Sequence, residues 1–268
     1  TDTAAGKYLA GADVGRHADL QQAMDRAEYR AIWCTRGGFG CTRILDRIDW
    51  SGWREDPKPL IGYSDITALL AAAWAETSVV GFHGPMVATS TTLATGPALE
   101  QHQLDLVTDS NRCPPWPNHK AGRVLRSGAA TGPLVGGNLS LVCALLGTKW
   151  QIATDGAILF LEDVGEAPYR LDRMLTQLHQ AGCLDRIAGV LLGDFHLNKT
   201  PWGSIQDGVV TVLRERLHEL DVPIAYAMPF GHRPQSWTLP FGQRARLDTT
   251  DATQPPKLTL VGPCVRAR

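Results

Sequence analysis

Apolar residues along this chain fall into short continuous runs that stop at glycine, proline or a carboxylate, and into longer stretches spaced like one face of a helix. Continuous runs bounded in this way are the pattern of strands covered on both faces. Ala31 to Thr35, Pro59 to Gly62, Val79 to Met86, Gly156 to Leu161, Ile187 to Leu192 and Pro223 to Ala227 read as strands of this kind. Helical spacing starts at Asp19 and runs through Leu20, Met24 and Ala27. It returns from Arg43 to Trp50, with Ile44, Leu45 and Ile48 on one face, then from Ser64 to Trp74, and closes a helix at Leu104 to Val107. Gly136-Gly137-Asn138-Leu139-Ser140 opens a further helix, with Asn138 as its N-cap and Gly147 at its end. Leu171, Met174, Leu175 and Leu178 mark another, and Val209 to Leu220 the last; Arg244 to Asp248 and Leu258 to Val261 read as a closing hairpin.

Composition narrows this picture. With 268 residues, 44% of them hydrophobic, the chain can bury a sizeable core in one large domain or two smaller ones. Cys113-Pro114-Pro115-Trp116-Pro117 cannot be a regular helix, which makes its neighbourhood the best place for a linker. The net charge of -1, without long basic or acidic blocks, points to no nucleic-acid or membrane partner. No apolar run has the length of a membrane span, and Thr1 to Gly6 lacks the pattern of a signal peptide. The six cysteines form no C-x-x-C pair and read as small buried hydrophobes in a reducing cytoplasm rather than as a disulfide framework.

Several strand ends carry groups with chemistry. At Gly62-Tyr63-Ser64-Asp65 a strand turns sharply into a helix, which lifts the turn residue above the sheet with the positive end of the helix beneath it. A serine there stands as a nucleophile elbow, although Ile66 replaces the second glycine of G-x-S-x-G; helix capping by Ser64 or Asp65 fits the same residues. Arg36-Gly37-Gly38-Phe39-Gly40 follows a strand, and its glycines let backbone N–H groups approach a ligand as one wall of an oxyanion hole. The dinucleotide fingerprint fails there, because Cys41, Thr42 and Arg43 follow Gly40. Leu161-Glu162-Asp163 puts carboxylates at the end of a buried strand, where open α/β sheets keep functional groups, and Gly231-His232 puts a histidine on a loop after another. A serine hydroxyl needs a base to take its proton, a histidine does this near neutral pH, and a carboxylate behind the histidine fixes its tautomer. Chain order Ser, Glu, His is that of the α/β-hydrolases. Spacing alone leaves Glu162, Asp163 and Asp194 open as the carboxylate, and His232, His83 and His196 open as the base. No His/Cys/Asp cluster has metal-ligand spacing.

Motifs run in order along nearly the whole chain: Arg36-Gly37-Gly38-Phe39-Gly40 with Asp49-Trp50, Gly62-Tyr63-Ser64-Asp65, and Phe82-His83-Gly84-Pro85-Met86. They continue through Gly136-Gly137-Asn138-Leu139 with Leu146-Gly147-Thr148, Leu161-Glu162-Asp163 with Glu166 and Arg170, and Gly231-His232 with Thr238-Leu239-Pro240-Phe241-Gly242. By these residues the chain resembles the LD-carboxypeptidases of serine peptidase family S66, which include the muramoyltetrapeptide carboxypeptidases and the microcin C self-immunity peptidases. The resemblance implies an α/β fold with an N-terminal Rossmann-like parallel-sheet domain over residues 1–110, a linker over 111–131, and a C-terminal mixed α/β domain over 132–268, with the active site between them. It implies Ser64 as nucleophile, Glu162 as the triad carboxylate and His232 as base. The backbone N–H groups of Asp65 and Gly38 would form the oxyanion hole, and Arg36, Gly37, His83 and Glu166 would bind substrate, without metal or cofactor. The implied reaction releases a terminal D-alanine from cytoplasmic murein tetrapeptides during peptidoglycan recycling, by a homodimer. The alternative within the family is cleavage of a microcin C-like peptidyl-nucleotide, by a branch with an aromatic platform in a loop of the C-terminal domain; the tryptophans of this chain, Trp202 and Trp237 among them, leave that choice open. A non-catalytic or truncated peptide-binding protein is the reading from another class. Family members begin with a strand and helix ahead of the point where this sequence starts, so the resemblance also predicts an uncovered edge and instability at the strand Ala31 to Thr35.

Overall fold

The computed structural model describes residues 8–88, 96–116, 122–196 and 205–266. Two sheets share one hydrophobic core. In the smaller, β1 (Ile32–Trp33), β2 (Leu60–Gly62) and β3 (Gly81–His83) run parallel, and β9 (Leu239–Phe241) closes the sheet antiparallel to β3. The larger has β5 (Ala129–Asn138), β6 (Ile158–Val164), β7 (Gly189–His196) and β8 (Ile224–Tyr226) parallel at its centre. Antiparallel strands finish both of its sides: β10 (Arg244–Asp248) and β11 (Lys257–Leu260) beyond β5, and β4 (Arg123–Arg126) beyond β8. The molecule is thus a mixed α/β protein with mostly parallel strands.

The apolar runs explain the centre of the large sheet. Ile158 to Leu161 of β6 are 0% exposed, because β5 and β7 flank them and Phe160 packs against His83 of β3, Phe230 and Phe241 of β9. Helix α6 (Pro168–Gln180) starts on a proline, and buries Leu171, Leu175 and Leu178 along one stripe. Helix α3 (Thr67–Thr77) is different: Thr67 through Ala73 are all buried, since it lies between β3 on one side and β5 on the other. Its alanines let both sheets approach closely. The seam is pinned where the Thr67 hydroxyl accepts from the Asn138 N–H at 3.1 Å. Asn138 also caps α5 (Leu139–Ala144), its side chain accepting from Leu141 N–H, as its sequence position predicts.

The structure departs from the sequence reading at several places. Arg43 to Trp50 is two 3₁₀ turns, Cys41–Arg43 and Leu45–Arg47, before the short helix α2 (Ser51–Glu55). Ile44, Leu45 and Ile48 are buried as expected, but Gln21 of α1 (Asp13–Asp25) bonds both the N–H and the C=O of Asp49 and holds the chain out of a regular helix. Ala31 to Thr35 is not an interior strand: β1 is two residues long at the edge of the small sheet, with Trp33 38% exposed and its indole N–H donating to Pro85 C=O at 2.8 Å. Gly136, Gly137 and Asn138, read as the opening of a helix, belong to β5, and the helix itself starts at Leu139. The segment 111–131 contains β4 and the start of β5, and β9, far along the chain, joins the small sheet. Residues 239–248 therefore pass from one sheet to the other, with Gly242 N–H donating to Leu134 C=O at 2.6 Å on the way. The helix expected to close at Leu104 to Val107 is α4 (Pro97–Thr108), and that at Val209 to Leu220 is α7 (Ile205–Leu217). Among the described residues no helix is long and apolar enough to cross a membrane.

Candidate active site

The C-terminal ends of β2, β3 and β6 converge, with Ser64 two residues past β2, His83 at the end of β3 and Glu162 near the end of β6. β2 runs through Tyr63, which is extended, into Ser64 at φ 63°, and a 3₁₀ turn over Ser64–Ile66 feeds α3. A positive φ is sterically unfavourable for any residue with a Cβ and marks a position held by its surroundings. Neither Ser64 nor Asp65 caps α3, which begins without a side-chain cap. The Asp65 carboxylate instead accepts from Cys41 N–H at 2.8 Å, in a buried contact that ties the far end of the glycine loop to the elbow. That loop, Arg36 to Gly40, lies against the serine: a Cβ placed on Gly37 would stand 2.9 Å from Ser64 Cβ. Arg16 of α1, paired with Asp13, anchors the loop through Gly40 C=O at 3.0 Å. Arg36 is exposed at its start and Gly38 has φ 122°.

At the end of β6 neighbouring carboxylates part company. Glu162 is 0% exposed and its Oε2 meets His232 Nδ1 at 2.6 Å. Asp163 points the other way, accepting from Asn138 Nδ2 at 3.0 Å, from Ser140 N–H at 2.9 Å and hydroxyl at 2.8 Å, and from Val164 N–H at 2.8 Å. Alternation along a strand sends them to opposite faces. The register between β6 and β7 also shifts between Leu161 and Asp163, so Glu162 sits at a bulge, a common device for aiming a side chain. Asp194 lies on β7 within that irregular stretch, its N–H donating to Phe230 C=O at 2.9 Å.

His232 stands on the loop between β8 and β9, with its ring 4.7 Å from the Tyr63 ring beside the elbow. The loop can press onto Glu162 because Gly231 precedes it at φ 102°; a Cβ there would lie 2.8 Å from the Glu162 side chain. Burial works to lower the pKa of His232, but the hydrogen bond and charge of Glu162, with the charges of Asp163 and Asp194, outweigh it and raise the value above the ordinary histidine range. Burial raises the pKa of Asp163, against the lowering by its Ser140 and Val164 hydrogen bonds.

His83 ends β3 opposite Gly62 of β2 and is 1% exposed. The resemblance implied a substrate-binding role for it; the structure places it beneath the site instead, with Nε2 3.9 Å from Glu162 Oε1. Glu166 lies on the loop after β6, paired with Arg170 at 3.4 Å. Trp237 is buried and stacks on Trp116, while Trp202 and the side chain of His196 lie outside the described residues. Two contributions escaped sequence reasoning: the carboxylate of Asp65 as a tie to Cys41 N–H, and the Tyr63 ring against His232. Both residues fall in Gly62-Tyr63-Ser64-Asp65, but nothing local to that motif points to their partners. Among the described residues no group of three or more His, Cys, Asp or Glu side chains could hold a metal ion.

Comparison with known proteins places this geometry. Residues 1–84 match the LD-carboxypeptidase N-terminal domain and residues 131–247 the LD-carboxypeptidase C-terminal domain. The chain is 38% identical over 247 residues to a probable murein peptide carboxypeptidase of Bacillus subtilis, covering 92% of this chain and 77% of that protein. It is 34% identical over 249 residues to the murein tetrapeptide carboxypeptidase of Pseudomonas aeruginosa, covering 90% and 80%. The crystal structure of muramoyltetrapeptide carboxypeptidase from Oxalobacter formigenes superposes with a TM-score of 0.80 at 29% identity, covering 95% of this chain and 87% of that one. With both domains matched and relatives of this identity, the chain belongs to the LD-carboxypeptidase family S66 and is a serine-type carboxypeptidase.

Proposed function

We propose that the protein removes the terminal D-alanine from murein tetrapeptides, by a triad of Ser64, His232 and Glu162. The observation that carries the reading is the 2.6 Å bond between Glu162 and His232 beside a serine held at positive φ, in a chain whose relatives are named for murein peptides. With Nδ1–H committed to Glu162, His232 presents Nε2 as the base toward Ser64. Nε2 takes the hydroxyl proton, and Oγ attacks the carbonyl carbon of the bond before D-alanine. The developing oxyanion takes hydrogen bonds from the backbone N–H groups of Asp65 and Gly38. Collapse breaks the C–N bond, and the imidazolium returns its proton to the leaving amine, freeing D-alanine. A water, deprotonated by the same nitrogen, then hydrolyses the acyl-enzyme and restores Ser64. Arg36, exposed next to Gly37 at the elbow, is suited to the carboxylate of the leaving D-alanine, with the Gly37 backbone alongside and Glu166, on the loop after β6, as a further substrate contact.

A cytoplasmic setting, a homodimer, and a division into domains at 1–110 and 132–268 belong to the same reading. Incubation with a murein tetrapeptide, followed by chromatography and mass spectrometry, tests it: the tripeptide and D-alanine form in equal amounts, and Ser64→Ala stops both. Cleavage of a peptidyl-nucleotide with no action on the tetrapeptide would transfer the same chemistry to the self-immunity substrate class.

A further inference from the structure

Among the described residues, three of the six buried side-chain polar atoms left without partners lie at one place. Both ring nitrogens of His83 and Oε1 of Glu162 have no hydrogen-bond partner among the described residues, and they face each other. We propose that His83 is a positioning residue for the reaction: as the neutral Nε2–H tautomer it donates to Glu162 Oε1, which leaves Oε2 aimed at His232. The proposal rests on the triad reading above and adds to it a residue that never meets substrate.

Geometry carries the inference. Tyr63, Phe160 and Phe230 surround the His83 ring edge to face, at centroid distances of 6.0, 5.3 and 6.5 Å, so the ring cannot turn toward water. His83 is paired across the sheet with Gly62, just before the elbow, while Glu162 belongs to the other sheet. A bond between them therefore ties the serine's strand to the carboxylate's strand. The present 3.9 Å separation exceeds a hydrogen bond by about 1 Å, and catalytic hydrogen bonds are commonly long in the empty enzyme and tighten with substrate bound.

Charge accounting points the same way. The titratable groups facing Glu162 are His83, His232 and Asp163, and Asp194 acts on His232 through its charge. Burial, followed by the neighbouring charge of His232, pushes the pKa of His83 down to about 3, so it is neutral near neutral pH. A neutral donor satisfies Glu162 without competing with His232 for its charge. A cation in the same place would weaken the pull on the imidazolium, and a hydrocarbon would leave a fully buried carboxylate oxygen bare.

The test compares His83→Phe, which keeps the volume and deletes the donor, with His83→Gln, whose amide nitrogen keeps a donor near the ε position. Both are assayed on the tetrapeptide beside Glu162→Gln, with thermal melts for each. His83→Phe is expected to lose about ten- to a hundredfold in kcat, the range of one hydrogen bond to a charged group, with KM nearly unchanged. Its acid limb of rate against pH moves to higher pH, because the Glu162–His232 pair holds its proton more tightly without the donor. His83→Gln recovers most of the loss. A folded His83→Phe with wild-type kcat and an unmoved limb, beside a dead Glu162→Gln, overturns the proposal and leaves the triad standing. An active Glu162→Gln removes the triad reading and this proposal with it. Nitrogen-15 NMR of the wild-type protein decides the matter even where His83→Phe does not fold: the Nε2–H tautomer of His83 supports it, and the Nδ1–H tautomer overturns it.

Discussion

Substituting Ser64 with glycine separates the chemistry of this residue from its conformational cost. Ser64 sits at φ 63°, and a non-glycine residue held in such a region costs about 1–3 kcal/mol. Glycine adopts that backbone without penalty but gives up about 0.5–1 kcal/mol through its freer unfolded chain. The difference leaves Ser64→Gly more stable than wild type by about 1 kcal/mol at mid-range, and by roughly 2.5 kcal/mol at most. Alanine keeps the Cβ, so Ser64→Ala deletes the same hydroxyl without relieving the backbone. In a chain of this size each kcal/mol moves the melting temperature by about 2–4 °C. Urea titrations and thermal melts of both variants beside wild type read the difference directly. Both variants should lose on the order of 10⁴–10⁶ in kcat, as nucleophile deletions do. Two results would refute the reasoning: a glycine variant no more stable than the alanine variant, which would mean that no strain is stored at the elbow, or an alanine variant retaining more than a few per cent of activity, which would remove Ser64 as nucleophile.

Other expectations follow from single contacts. Asp65→Ala leaves the buried Cys41 N–H without its acceptor and should cost about 1–3 kcal/mol in urea unfolding, together with a fall in kcat as the glycine loop loosens, whereas Asp65→Asn keeps an oxygen there and should retain most of both. Because the pKa of His232 is raised and the base must be neutral, kcat/KM should climb with pH along a limb above the ordinary histidine value of about 6.5. The same group's charged pairing with Glu162 stabilises the fold fully below its unfolded pKa and fades as pH rises through the raised folded value, so melting temperature and activity should move in opposite directions across that window. Glu162→Gln should cost on the order of 10⁴ in kcat, while Asp163→Asn, which alters the start of α5 and not the His232 contact, should mainly lower stability. Equal losses of kcat from the two substitutions would contradict the split of roles at the end of β6.

Local physics made much of this protein legible in its sequence. The apolar run into Glu162 can only be covered on both faces, so β6 is readable without its neighbours, and so is the amphipathic stripe of α6. The turn at Ser64, the glycine loop and the histidine after Gly231 are likewise local, because glycine placement and strand length are written residue by residue. Strand β5 hid for the same reason: Gly132, Pro133, Gly136 and Gly137 argue against a strand, and only the close approach of β6 and α3 shows why small residues stand there. Tertiary structure alone decided which carboxylate meets which histidine. Glu162 and Asp163 differ by one position in a period-two element, and the bulge beside them and the layers above and below determine their partners. It alone decided that β9 completes the small sheet, and that His83 lies under Glu162 and not in the cleft. Those contacts join residues far apart in the chain, whose meeting depends on the packing of both sheets around α3, and no periodicity within either segment records it.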